Sequence, residues 1–179
     1  MLKYRISFLI FLAVFILQST VLNFLRIFDI SPNLILCLVI IFSFLYEGYH
    51  GIVYGLAFGF LFDICFGKVI GIAPFSYLAA ALVCIGMKRY LYKDSMVSVL
   101  IVTSAGTAVY ALVYWSLYSM LGGAAAFGYA MEKNAVLLAC HAVINVVIYY
   151  FVRRSVVRHP GDRYMYRGNL QEARSLNRS

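Results

Sequence analysis

Apolar residues gather into six long runs along the chain, separated by short polar breaks. The runs cover residues 6–25, 34–46, 50–66, 72–87, 96–121 and 135–152. A lipid bilayer has a hydrocarbon core ~30 Å thick, which ~20 helical residues cross. The pattern therefore predicts an all-α, polytopic membrane protein with six transmembrane helices. Lys3 and Arg5 ahead of the first run imitate the basic start of a signal peptide. The run behind them is too long for such a segment and no small-residue cleavage pattern follows, so it is kept as a helix. The second run is short and follows Pro32, a residue tolerated in a first helical turn. The short second and fourth runs also fit re-entrant segments.

Composition sharpens this picture. Of 179 residues, 64% are apolar or aromatic and 12% are charged. Soluble domains run nearer ~45–50% and ~25%. A soluble chain of this size would leave large greasy patches on its surface. A soluble enzyme, a disordered linker and a coiled coil are excluded. Cys37, Cys65, Cys84 and Cys140 all lie inside apolar runs and form no C-x-x-C pair, which reads as packing rather than disulfide or metal chemistry.

Charge gives the orientation. With six spans both termini share one side. If that side is cytoplasmic, it holds Lys3, Arg5, Lys88, Arg89, Lys93 and the seven arginines of the tail, leaving Arg26, Lys68 and Lys133 outside. The positive-inside rule then predicts N-in and C-in. The chain divides into a transmembrane domain, residues 1–152, and an Arg-rich cytoplasmic tail, residues 153–179. Arg153, Arg154 and Arg158 are candidates for contact with anionic lipid or a cytoplasmic partner, at ~1 kcal/mol per basic residue near an anionic surface. No fold or aromatic signature of nucleic-acid binding accompanies this charge. The longest loop expected is residues 122–134, too short for a folded domain.

Candidate chemistry inside the spans is sparse. Gly51, Gly55, Gly59 and Asp63 recur every four residues and share one helix face. That register lets another backbone approach closely, as a seam within the chain or as a surface for a partner. Asp63 is the one acidic residue inside a span. A charged Asp at the bilayer centre costs ~2.5–3.5 kcal/mol or more, so capping, pairing, a partner contact and a proton site all stay open for it. Gln18, His141, Asn145, Ser104 and Thr107 are expected to form hydrogen bonds between helices. A two-carboxylate site, a serine elbow, an H-E-x-x-H helix and a phosphate loop are all missing from the sequence, so no catalytic, metal or cofactor residue is assigned.

Taken in order, Gln18 and Ser19, then Pro32-Asn33-Leu34, then Gly51, Gly55, Gly59, Leu61, Asp63 and Gly71 resemble the rod shape-determining protein MreD family of bacteria. The likeness covers residues 5–152. That family often has an acidic residue after the proline. This chain has Asn33 there, which still suits a helix cap. The resemblance implies a multi-pass protein of the bacterial cell membrane. It implies a non-catalytic scaffold in the cell-wall elongation machinery, without cofactors, that binds an MreC-like protein and supports directed peptidoglycan synthesis. The partners so implied are RodA, its penicillin-binding protein and the MreB filament. The competing reading is the substrate-binding membrane subunit of an energy-coupling-factor vitamin transporter, also a six-helix chain. Such subunits usually carry paired alanines in the first span, where this chain has Ala13 flanked at four residues by Leu9 and Leu17.

Overall fold

The computed structural model describes residues 4–22, 32–46, 49–67, 69–91, 95–122 and 127–157. Among them there are six α-helices and no strand: α1 (Tyr4–Leu17), α2 (Leu34–Leu45), α3 (His50–Phe66), α4 (Ile72–Met87), α5 (Met96–Met120) and α6 (Phe127–Val157). The boundaries of α2 to α5 agree with the apolar runs within a residue. Two helices, α5 over its full length and α6 over Asn134–Phe151, are long and apolar enough to cross a membrane. The other four are shorter apolar helices.

Successive helices run antiparallel, and α2 forms the axis of the bundle. Every residue from Ile35 to Phe44 is buried, and α2 meets each of the other five helices. A helix apolar all round belongs in an interior, and α2 is such a helix. On one side, Phe11 of α1 packs edge-on to Phe42, with ring centroids 5.3 Å apart, and also meets Tyr54 and Phe58 of α3. On the others, Tyr77, Ala80, Ala81 and Cys84 of α4 and Val99 and Val102 of α5 complete the core.

Glycine sets how closely these helices approach. A Cβ at Gly51 would run into the hydroxyl and backbone nitrogen of Ser43 on α2. One at Gly55 would lie 3.0 Å from Val39, and one at Gly59 would lie 2.8 Å from the Cα of Pro74 on α4. The glycine ladder therefore changes partner along its length, from α2 to α4. Gly106 plays the same part for α5, where a Cβ would sit 2.9 Å from Ile40. In lipid, where apolar burial alone does little to bring helices together, such close backbone packing supplies much of the attraction.

Three expectations need correction. The first run does not stay α-helical to residue 25. Regular helix ends at Leu17, and a wider π-type turn, Gln18–Leu22, follows. Residues 23–25 lie outside the described residues. The loop expected over 122–134 is mostly helix, because α6 begins at Phe127. Hydropathy marks the apolar part of the helix, whereas Ala130-Met131-Glu132-Lys133 are good helix formers that carry it further. Cys65 is exposed rather than packed in the core, while Cys37 and Cys84 are buried and Cys140 is half-buried. It lies on the outward face of α3 beside Ile64 and Phe66.

Candidate functional site

Gln18, Pro32, Asn33, Asp63 and Gly71 converge on one end of the bundle, where α2 and α4 begin. A helix start carries N–H groups with no partner inside the helix. Away from water these cost several kcal/mol each unless bonded. The two starts solve this problem differently.

At α2 the caps are neutral. Asn33 is extended, and its side-chain oxygen accepts a hydrogen bond from Leu36 N–H at 3.0 Å. Ile35 N–H donates to Oε1 of Gln18 at 3.1 Å. Gln18 opens the π-type turn after α1, and that turn brings its side chain to α2. The backbone N–H of Asn33 donates to Nε2 of His141 at 3.0 Å, across 108 residues of sequence. Pro32, just before, is buried and has no N–H to satisfy.

At α4 the cap is a carboxylate. Asp63, in the last turn of α3, is 3% exposed. Its Oδ2 accepts from Gly71 N–H at 2.8 Å and from Ala73 N–H at 3.0 Å. A negative charge is well placed at the positive end of the α4 dipole. Gly71 has φ 110°, a left-handed conformation that side-chain-bearing residues rarely adopt. It turns the chain back so that both amides face the one oxygen. Pro74 sits in the first turn of α4, again where an N–H would need a partner.

Tyrosines join the two starts. Asn33 Nδ2 donates to the Tyr77 hydroxyl at 2.6 Å and lies 3.5 Å from that of Tyr110. The two rings stack with centroids 5.4 Å apart. From His141 the polar line continues between α5 and α6. Nδ1 lies 3.2 Å from Oγ1 of Thr107. One turn further on, Asn145 Nδ2 donates to Oγ1 of Thr103 at 2.9 Å. At the opposite end of the bundle, Lys88 Nζ donates to the carbonyl of Tyr46, the C-cap of α2, at 2.6 Å.

Of the sequence candidates, Gln18, Pro32, Asn33, Asp63 and Gly71 thus lie at the two helix starts, and Gly51, Gly55 and Gly59 lie on the seam beneath them. Arg153 and Arg154 continue α6 beyond residue 152, and Arg158 lies outside the described residues. Tyr77, Tyr110 and Thr103 were not singled out. Thr103, Gly106 and Thr107 share a face at i, i+3 and i+4, a signal that was available. The tyrosines gave no such signal, since aromatic residues abound in every run. No group of three or more His, Cys, Asp or Glu side chains able to hold a metal occurs among the described residues.

No curated protein and no solved structure matches the chain. The model of the rod shape-determining protein MreD family matches it over residues 1–156. That match runs through both capped helix starts and the glycine seam, and the chain belongs to the rod shape-determining protein MreD family.

Proposed function

We propose that this protein is a non-catalytic, multi-pass scaffold of the cell-wall elongation machinery, with six membrane spans and both termini in the cytoplasm. The family match over residues 1–156 carries the reading. It is supported by what the polar residues do. Gln18, Asn33, Asp63 and His141 all accept backbone N–H groups, the work of holding helix ends in place. The distribution of Lys and Arg supports the orientation. In this reading an MreC-like protein is the direct partner, and RodA, its penicillin-binding protein and the MreB filament belong to the same assembly. Arg153, Arg154 and Arg158 meet anionic lipid or a cytoplasmic protein.

A deletion strain tests it together with co-purification in mild detergent. Loss of rod shape and recovery of an MreC-like protein are the expected results. Normal shape in the deletion strain, or turnover of a substrate by the purified chain alone, overturns it. A reporter fused to the C-terminus is expected to be active only in the cytoplasm.

A further inference from the structure

The last helix is held differently from α2, α3, α4 and α5. Only 17% of its apolar window, Asn134–Phe151, is buried, against 39% for α5. Val136, Val143, Val147, Tyr150 and Phe151 face outward. Within Asn134–Phe151 the enclosed residues are His141, Asn145 and Tyr149, spaced by four and so forming one stripe. Two of the three are polar, and the glycine contacts that bring α3 and α5 onto α2 have no counterpart in the described part of α6. Where lipid competes on equal terms for apolar surface, the polar rungs decide whether such a helix stays attached.

Those rungs are few and specific. Asn33 N–H is a donor, so Nε2 of His141 must be the acceptor. The neutral ring then carries its proton on Nδ1 and donates it to Thr107. Asn145 gives its amide to Thr103, but its Oδ1 accepts no hydrogen bond among the described residues although the side chain is fully buried. An orphaned acceptor weakens the attached state. Beyond the stripe, α6 continues without a break to Val157, a rod of 31 residues and about 46 Å.

We propose that α6 is a detachable rod: the His141–Asn145–Tyr149 stripe, with His141 as a neutral latch protonated on Nδ1, fastens it to α2 and α5, and it comes away as a unit while α2, α3 and α4 stay packed. The rod joins the capped start of α2 to the arginine-bearing end of the chain. Movement at one end is therefore felt at the other. This inference rests on the packing and is independent of the functional reading above.

Pulsed electron spin resonance on the full chain in lipid nanodiscs tests it. The four cysteines are replaced by alanine, and spin labels are placed at the outward positions Val143 on α6 and Leu82 on α4. A second pair, Val53 on α3 and Leu82, serves as reference. His141 makes two hydrogen bonds, and losing two of the strength typical between membrane helices shifts a two-state equilibrium about eightfold. His141→Ala is expected to raise the separated population of the first pair by about that factor and leave the reference pair unchanged. His141→Gln, whose carbonyl oxygen can accept from Asn33, is expected to restore much of the attached population. An unchanged first pair overturns the proposal, as does equal broadening of both pairs. On the unaltered chain, nitrogen NMR of the histidines is expected to show His141 protonated on Nδ1 and bare on Nε2. A proton on Nε2 overturns the latch even if no variant folds.

Discussion

The helices α2 and α6 represent opposite ways of belonging to one bundle. The first is the shortest, with 12 residues, and the second the longest, with 31. Ten successive residues of α2 are buried, and its ends are closed by Gln18, Asn33 and His141 at one side and Lys88 at the other. The described side chains of α6 meet the bundle along one stripe and leave the rest of its surface outward. A helix too short to cross a bilayer alone is thus enclosed by its neighbours, while a helix long enough to stand alone is only tethered. The contrast shows that length and burial are traded here: the short α2 is wrapped by protein, and the long α6 keeps most of its described surface outward.

The sharpest way to break the enclosure of α2 is to crowd it. Gly51→Leu would drive a side chain into Ser43 and its backbone. Overpacking of this kind typically costs 1–3 kcal/mol and more where backbone must move, so ~3 kcal/mol or more is expected. Detergent-solubilised protein should elute as aggregate or unfold well below the unaltered chain. Normal elution and melting would remove the seam from the account.

Next comes the carboxylate cap. Asp63→Ala leaves the amides of Gly71 and Ala73 without their acceptor. Hydrogen bonds to a charged group are worth about 1.5–3 kcal/mol, and a loss of ~2–4 kcal/mol is expected for the pair. Asp63→Asn keeps one carbonyl oxygen in place and should cost about half as much. The comparison is made by thermal unfolding of both variants, and equal losses would show that the charge rather than the acceptor is what α4 needs.

These two sites show how much was legible in the sequence. Gly51 and Asp63 stand on one periodic face, so their helix and their common orientation could be read directly. The partners could not. A four-residue repeat does not say that Gly51 turns to α2 and Gly59 to α4, because crossing angle decides that. Asn33 could be read as a cap from the preceding Pro32. His141, which meets its backbone, lies 108 residues away, and no periodicity connects them. Hydropathy located the part of α6 that is apolar enough to cross a membrane and missed its first residues, which are helical through propensity rather than apolarity.

Smaller effects sharpen the contrast further. Asn33→Ala removes a cap that also reaches Tyr77, and a loss of ~1–2 kcal/mol is expected. It should appear as a lower melting temperature and as faster amide exchange at Leu36, with Phe44 at the far end of α2 unaffected. Thr103→Val removes the partner of Asn145 between α5 and α6. Such bonds between membrane helices average ~0.6 kcal/mol, so its effect on the melting temperature should be the smallest of the series. A loss as large as that of Asp63→Ala would mean that α6 is bound as firmly as α4.

The bond between Asn33 and His141 also imposes an order on biosynthesis. When α2 leaves the ribosome, the acceptor for its leading amide has not yet been translated. Lys88, which closes the trailing end, appears 53 residues before His141. Gln18 and Asn33 can close two leading amides of this innermost segment as it emerges, Lys88 closes its tail next, and the last open amide, that of Asn33, is closed only when α6 arrives.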